Sequence, residues 1–333
     1  MLATGVTFGS SSKEELLEYA QLAEKSGLDS VWIGESWGRS SVPVLTQMLE
    51  RTESIDVCAG IFNIYTRTPG LVAMTANTLA EIGDGRFRVG LGTSGPAVIE
   101  DFHGVEFGQP LRRTREYIEI IRAYLAGERV DYDGEIFELS GFSLDTEEYH
   151  ESPIYVASMG ETNRQLTGEF ADGWMPLLIP STALEDALEA VERGVDRGDR
   201  SIDDCDVMPW IPTCISETDP DAAEDVVRAK IAFYVGAMGD YYANVVTEFG
   251  FGEEADAIRE GWDENTQAGA EAAVTDEMVS KIGAGGTPEQ AAESFERFVE
   301  AGADSPVASV PTRWASDGLT RETIRHLGDS LRD

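Results

Sequence analysis

A helix, a glycine turn and a buried strand recur in that order along the whole 333-residue chain, and this repeat constrains the fold more than any other feature. It is seen in Leu22–Ser36, Leu79–Ser94, Gly168–Pro180 and Phe298–Pro311. Glycine suits the end of each helix because it accepts the left-handed backbone with which a helix turns back toward a strand. The strands are near-continuous apolar runs, which is typical of parallel sheets buried on both faces.

Eight such units predict an α/β fold of the (β/α)8 TIM-barrel class, with insertions after strands four and seven. A Rossmann fold is less favoured because no GxGxxG motif opens the first helix. We expect one domain over residues 1–333, a hairpin insertion at about 130–152 that turns at Asp133-Gly134, and a helical insertion at about 238–280. The predicted strands are Gly5–Gly9, Ser30–Glu35, Asp56–Phe62, Phe87–Gly92, Ile154–Ser158, Gly173–Leu178, Val207–Ile215 and Val307–Val310.

The charge is strongly acidic, with 62 Asp and Glu against 25 Lys and Arg and a formal net charge of -37. Such a chain repels polyanions, so nucleic-acid binding is excluded. Lysine occurs only at Lys13, Lys25, Lys230 and Lys281. An acidic surface poor in lysine indicates a halophilic protein, since molar salt shortens the Debye length to about 3 Å and weakens carboxylate repulsion. A mesophilic acidic enzyme is the alternative.

Other residue types point to a cytoplasmic protein without metal. No apolar run of about 18 residues and no secretory leader is present, so neither a membrane span nor a signal peptide is expected. Cys58, Cys205 and Cys214 lack CxxC spacing and fit reduced core thiols. The three histidines are scattered, which makes a zinc site unexpected.

Barrel active sites lie at the carboxyl ends of the strands, and this rule selects the candidate site residues. They are Glu35, Ser36, Trp37 and Arg39 at the end of strand two; Asn63, Tyr65 and Arg67 at the end of strand three; Gly92, Thr93 and Ser94 at the end of strand four; and Ser158, Gly160, Glu161, Thr162 and Asn163 at the end of strand five.

Three of these positions have a functional and a structural interpretation. Glu35 follows an apolar strand, so burial would raise its pKa for acid–base work, but it could equally be the buried partner of an arginine. The turn before Glu161 would expose backbone N–H groups to an anion, unless Ser158, Thr162 or Asn163 simply caps the helix. Arg67 is either part of a polar site or the partner of a surface acid.

No nucleophile elbow, triad or metal carboxylate pair emerges, which favours chemistry carried by a bound cofactor. The segment GIFNIYTRTPGLVAMTANTLAEIGDGRFRVGLGTSG, Gly60–Gly95, then resembles the bacterial luciferase-like superfamily in its coenzyme F420-dependent branch, especially the methylenetetrahydromethanopterin reductases. IYVASMG at Ile154–Gly160 and GTPEQ at Gly286–Gln290 extend the resemblance over nearly the whole chain.

The resemblance implies a (β/α)8 barrel that binds F420, with FMN as the alternative cofactor. It implies a bulge with a cis peptide at Gly60–Ile61 beneath the deazaflavin ring, with Phe62 and Gly92 also in contact with the cofactor. Asn63, Thr93 and Ser94 would flank the ring or its side chain, and the backbone of Gly160–Asn163 would receive the phosphate. Arg39, Arg67 and Arg164 are expected at the rim of the site, where they would offset the acidic charge of the protein.

The sequence departs from that family at two catalytic positions. Thr7 stands where the methylene-pterin reductases carry Glu, and Glu35-Ser36 replaces their Asp-His. A threonine or serine hydroxyl does not exchange protons readily near pH 7. Glu35, Tyr65 and His103 are therefore the remaining candidates for proton handling, with Glu35 first and Tyr65 second.

The function expected from the resemblance is hydride transfer between F420 and a small-molecule substrate, with a methylene-tetrahydrofolate or tetrahydromethanopterin C1 carrier as the candidate. The alternatives are an FMN-dependent monooxygenase that uses oxygen and a non-catalytic flavin-binding protein. The resemblance also implies a homodimer.

Overall fold

The structure is a computed structural model and describes residues 5–9, 11–263 and 266–329. Its strands are β1 Gly5–Phe8, β2 Ser30–Ile33, β3 Asp56–Ala59, β4 Phe62–Asn63, β5 Phe87–Gly92, β6 Val130–Asp133, β7 Glu138–Phe142, β8 Ile154–Val156, β9 Gly173–Trp174, β10 Asp206–Val207, β11 Trp210–Ile215, β12 Ala284–Gly286 and β13 Val307–Val310.

Helices alternate with these strands along the chain. They are α1 Lys13–Ser26, α2 Ser41–Arg51, α3 Pro69–Ile82, α4 Pro110–Leu125, α5 Glu161–Phe170, α6 Leu184–Arg197, α7 Pro220–Ala237, α8 Asp240–Glu248, α9 Gly252–Asp263, α10 Gln267–Ala273, α11 Asp276–Ile282, α12 Pro288–Glu300 and α13 Asp317–Asp329. The alternation confirms the predicted α/β class.

Local sequence signals explain where many of these helices begin and end. Ser12 and Glu15 form a capping box at the start of α1, and Thr287 does the same with Gln290 at α12. Thr68 caps α3 with Pro69 in its first turn. Gly27 ends α1 at φ 89°, as the repeat predicts.

The chain divides into two compact units. Unit one comprises Met1–Ser30, Met175–Glu189 and Val207–Asp333, and unit two comprises Val31–Trp174 and Ala190–Asp206. Each unit has its own parallel ladder: β1, β13, β11 and β12 are neighbours in unit one, and β3, β5, β8 and β9 are neighbours in unit two. The single-domain assignment stays a prediction.

The strands of both ladders are buried, as continuous apolar runs predict. Every residue of β1 and β13 is buried, and β5 is buried at all but one position. Two predicted strands are broken in the structure. Asp56–Phe62 is interrupted after Ala59, and Val207–Ile215 is interrupted at Met208-Pro209, where proline has no N–H for a ladder.

Both predicted insertions have the expected local structure. β6 and β7 form an antiparallel hairpin in which Asp133 faces Glu138. The Glu116 carboxylate of α4 stabilises the turn of this hairpin. It accepts hydrogen bonds from the backbone N–H groups of Glu135, Ile136 and Phe137 at 2.9 to 3.1 Å. Over 238–280 the described residues form α8, α9, α10 and most of α11.

Strands β2, β3 and β5 of unit two approach so closely that only glycine fits between them. A Cβ on Gly60 would lie 2.7 Å from the Gly34 nitrogen, and a Cβ on Gly90 would lie 2.2 Å from the Ala59 oxygen and 2.4 Å from the Gly60 oxygen. The neighbouring atoms are backbone, so they cannot move aside as a side chain would.

We expect Gly90→Ala to destabilise the protein by about 1–3 kcal/mol, because a methyl group there overpacks the backbone of β3. Gly95→Ala, in the same glycine-rich segment, is the matched control because its Cβ would meet nothing within 4 Å. Denaturant unfolding of both variants in molar KCl makes the comparison. Equal effects of the two substitutions would contradict this account of the strand packing.

Candidate functional site

The candidate site is built in unit two, where the ends of β4, β5 and β8 lie side by side. Asn63 of β4 pairs with Gly92 of β5, and Leu91 of β5 pairs with Val156 of β8. A Cβ on Gly92 would contact Ile61 at 2.9 Å and Ala157 at 3.5 Å. The polar residues that follow these three strands are thus brought to one edge of the sheet.

The predicted bulge is present between β3 and β4. The Gly60 N–H donates to the Ile33 oxygen at 2.8 Å, and the chain resumes pairing at Phe62. The expected cis peptide at Gly60–Ile61 is wrong, since no peptide bond among the described residues is cis. Glycine at position 60 gives the backbone enough room for the bulge to form with trans bonds.

Asn63 fixes the turn that follows the bulge. Its side-chain oxygen accepts the backbone N–H of Tyr65 at 3.1 Å, the backbone N–H of Thr66 at 2.9 Å and the Thr66 hydroxyl at 3.0 Å. The residue is buried. Its side chain is therefore an Asx-type turn former that sets the direction of Tyr65 and Arg67.

Glu35 is the anchor of a half-buried ion pair with Arg67. The guanidinium donates to Oε1 through Nε at 3.1 Å and Nη2 at 2.9 Å, and Nη2 also reaches Oε2 at 3.0 Å. Oε2 accepts the Ser41 N–H at 2.8 Å and the Ser41 hydroxyl at 2.9 Å, at the start of α2.

These contacts reverse the expected charge behaviour of Glu35. Burial by itself raises the pKa of this carboxyl, but the hydrogen bonds from Ser41 and Arg67 outweigh burial, and the pKa lies below its ordinary value. The prediction of a raised pKa is wrong because Arg67, 32 residues away in sequence, supplies a bidentate partner. The alternative interpretation, a buried partner for an arginine, describes the observed contacts.

Tyr65 is likewise engaged in packing. Its hydroxyl donates to the Gly108 oxygen at 3.2 Å, and its ring lies 4.9 Å from that of Phe107. The Arg113 guanidinium stacks 5.0 Å from the ring centroid. Burial raises the pKa of Tyr65.

The other predicted site residues of strands one, two and four, and His103, lie in different environments. Thr7 is buried in β1 of unit one and pairs with Ser309. Ser36, Trp37 and Arg39 are exposed after β2. Ser94, half-buried with Thr93 after β5, has φ 57°, a strained value for a residue other than glycine. His103 stacks edge-on against Phe102, and its buried Nε2 has no partner among the described residues.

Helix α5 begins without a side-chain cap. Its N-cap is Gly160, and Ser158 is turned away, with its hydroxyl 2.7 Å from that of Thr167. Within the described part of the chain, the backbone N–H groups of Glu161 and Thr162 make no hydrogen bond. The alternative of an ordinary cap by Ser158, Thr162 or Asn163 is therefore wrong, and the first turn is open to an anion.

Two arginines near α5 have contacts that the sequence did not predict. Arg193 of α6, which the sequence did not single out, pairs with Glu161 at 2.8 Å. Arg164 was expected at the rim but is buried, and its guanidinium donates to the Met159 oxygen at 2.5 Å. Pairing of residues 32 positions apart leaves no local sequence signal.

Replacing Glu35 by Gln leaves the Arg67 guanidinium without its counter-charge, and we expect a loss of about 1.5–3 kcal/mol of stability at pH 7. Because the folded pKa lies below the unfolded value of about 4.3, the contribution is fully present above that pH and is lost as pH falls through the folded pKa. Urea unfolding of wild type and Glu35→Gln between pH 7 and pH 3 measures the difference.

Glu14→Gln, which removes an exposed partner of Lys13, is the control and should change stability little. A Glu35→Gln difference that stays constant with pH would show that the ion pair does not supply the loss.

Comparison with known proteins finds relatives by sequence and by structure. The chain is 31% identical over 303 residues to the 5,10-methylenetetrahydromethanopterin reductase of Archaeoglobus fulgidus, covering 89% of this chain and 90% of the relative. The solved F420-dependent tetrahydromethanopterin reductase of Methanopyrus kandleri superposes with a TM-score of 0.84 at 23% identity over 98% of this chain and 97% of that chain.

An F420-dependent secondary alcohol dehydrogenase, solved with an F420–acetone adduct, superposes with a TM-score of 0.80 at 21% identity over 100% of both chains. These superpositions confirm the TIM-barrel-like α/β fold class. The family model for luciferase-like monooxygenases matches residues 2–305. The chain therefore belongs to the luciferase-like monooxygenase family.

Proposed function

We propose that the protein is an F420-dependent oxidoreductase that transfers hydride between the deazaflavin and an organic substrate. The proposed substrate is a methylene-tetrahydromethanopterin or methylene-tetrahydrofolate C1 carrier, which the enzyme would reduce. Similarity to a 5,10-methylenetetrahydromethanopterin reductase at 31% identity supports the reaction class. The open first turn of α5 is the structural observation that carries the cofactor assignment.

The residues at α5 fit a phosphate group of the cofactor. The unbonded N–H groups of Glu161 and Thr162 are donors at the positive end of a ten-residue helix. Glu161 carries a negative charge in the same turn, but Arg193 compensates it. The buried Asn163 side-chain oxygen makes no hydrogen bond within the described residues, which leaves a further polar atom for the ligand.

The residues at the ends of β4 and β5 fit a flat ring. Gly92 has no side chain and borders Ile61, so the bulge residues Gly60, Ile61, Phe62 and Asn63 would support the ring while Thr93 and Ser94 flank it. When bound, a deazaflavin supplies a carbon atom that gives or accepts hydride. The protein would orient the two reacting carbons and exclude water.

Glu35 and Arg67 would act in this site mainly as a positioning pair. The carboxylate already accepts hydrogen bonds from Arg67 and Ser41, and its lowered pKa keeps it ionised. A group in that state holds the guanidinium in place and is a poor proton donor near neutral pH. Tyr65 and Thr7 remain proposed site residues, and Ser36, Trp37 and Arg39 remain proposed substrate-rim residues.

We expect Glu161→Pro to weaken F420 binding about tenfold or more, because proline at the first helical position removes one backbone N–H without disturbing the helix. Glu161→Ala is the matched control: it removes the same carboxylate but keeps the N–H, so F420 affinity should be retained. Anaerobic fluorescence titration measures both variants. Equal affinities of the two variants would contradict a phosphate contact at this amide.

A cofactor comparison separates the proposed reaction from that of an oxygen-using flavoprotein. Wild-type protein should bind F420 more tightly than FMN and reduce a methylene-tetrahydropterin with reduced F420. Tight FMN binding with oxygen consumption would instead support a monooxygenase, and bound cofactor without turnover on any substrate would support a flavin-binding protein.

We further propose that the protein comes from a halophilic archaeon, works in the cytoplasm and forms a homodimer. The net charge of -37 and the scarcity of lysine support the halophilic assignment. No described helix combines the length and hydropathy of a membrane span.

On dialysis from molar KCl into low salt we expect the unfolding temperature and F420 affinity to fall together, since unscreened carboxylates repel one another and the anionic cofactor. Calorimetry and cofactor titration at matched salt concentrations make the test. Stability and affinity that do not change with salt would contradict the halophilic assignment.

A further inference from the structure

Lys230 is a buried lysine of unit one that the proposed reaction does not use. It lies in α7 and is 7% exposed. Its ammonium donates to the Ser309 backbone oxygen at 3.2 Å and contacts the Ser309 hydroxyl. Both partners are neutral, so the positive charge has no counter-charge in these contacts.

The missing counter-charge is unusual in a chain that carries 62 acidic residues. Lys13 and Lys281 pair with Glu14 and Glu277, whereas no described carboxylate lies within 4.0 Å of the Lys230 nitrogen. Burial of an unpaired ammonium is costly, and burial alone lowers the pKa of Lys230 to about 7. Tyr234, whose ring centroid lies 6.0 Å away, is the titratable side chain that faces the amine among the described residues.

Polar groups surround the strand end that Lys230 contacts. Ser309 of β13 is in register with Thr7 of β1, so the two side chains share a face of the sheet. Three residues beyond Ser309, the Thr312 hydroxyl is buried and has no hydrogen-bond partner in the described part of the chain. Near the end of β13 the described residues thus include an ammonium with only neutral acceptors and a hydroxyl with no partner.

We propose that Lys230 is the centre of an oxyanion-binding site at the carboxyl end of β13, which takes a carboxylate or a phosphate group. The anion supplies the counter-charge that no described carboxylate provides. A charge-assisted hydrogen bond from a buried ammonium to such an anion is strong. The site lies within unit one, and its existence does not depend on the proposed reaction.

The test uses the small number of lysines. With ε-13C-lysine, the protein gives only four side-chain signals, and Lys13→Met, Lys25→Met and Lys281→Met identify the signal from Lys230 by elimination. The signal should titrate near neutral pH in chloride. Phosphate or acetate at equal ionic strength should raise that midpoint by at least one pH unit, since an anion favours the charged amine.

The two arms distinguish the source of the oxyanion: a response to phosphate alone assigns a phosphate ligand, and a response to acetate alone assigns a carboxylate ligand. Lys230→Met should lose at least tenfold in affinity for the responding anion by calorimetry, while Lys281→Met, at a partly exposed lysine paired with Glu277, should keep it. A Lys230 midpoint that neither anion moves overturns the proposal, and this wild-type measurement stands even where Lys230→Met fails to fold.

Discussion

The close approach of β2, β3 and β5 at Gly34, Gly60 and Gly90 is the constraint on which the candidate site depends. Backbone atoms occupy the space that a Cβ would take at Gly60 and Gly90. Because of this contact, the chain leaves its pairing with β5 after Ala59 and resumes it at Phe62. Asn63 is thereby placed beside Gly92. The glycines thus convert a continuous strand into a bulge at the edge where parallel strands expose their polar residues.

Cationic side chains are scarce in this acidic protein, and three of them have separate structural roles. Arg67 holds Glu35 in an ionised state, and Arg193 compensates the carboxylate in the first turn of α5. Lys230 is different because its charge is buried without an acid. The first two arrangements remove negative charge from the places where the proposed cofactor would bind, and the third leaves positive charge available for a ligand.

Sequence patterns predicted the elements with strong local signals. Val307–Val310 and Phe87–Gly92 have the predicted bounds, because apolar runs and glycine turns are local signals. The uncapped start of α5 was predicted as one of two alternatives. Glu35 organises the first turn of α2 from outside that helix.

The failures concern side-chain contacts that the strand pattern does not reveal. The pKa of Glu35 was expected to rise because its strand is apolar, but Arg67 and Ser41 lower it. Arg164 was expected at the rim of the site but is buried, and its guanidinium donates to the Met159 oxygen. Lys230 had one signal in the sequence, a rare lysine within the apolar run AKIAFYV, yet its lack of an acidic partner appears only in the fold.

The proposed binding of the cofactor phosphate by the amides of Glu161 and Thr162 carries the functional assignment. Amide NMR spectra of 15N-labelled protein titrated with F420, and separately with the phosphate-free deazaflavin, test it most directly. The account predicts large shifts of the Glu161 and Thr162 signals with F420 and small ones with the phosphate-free compound. Binding of F420 that leaves both signals unmoved would contradict it.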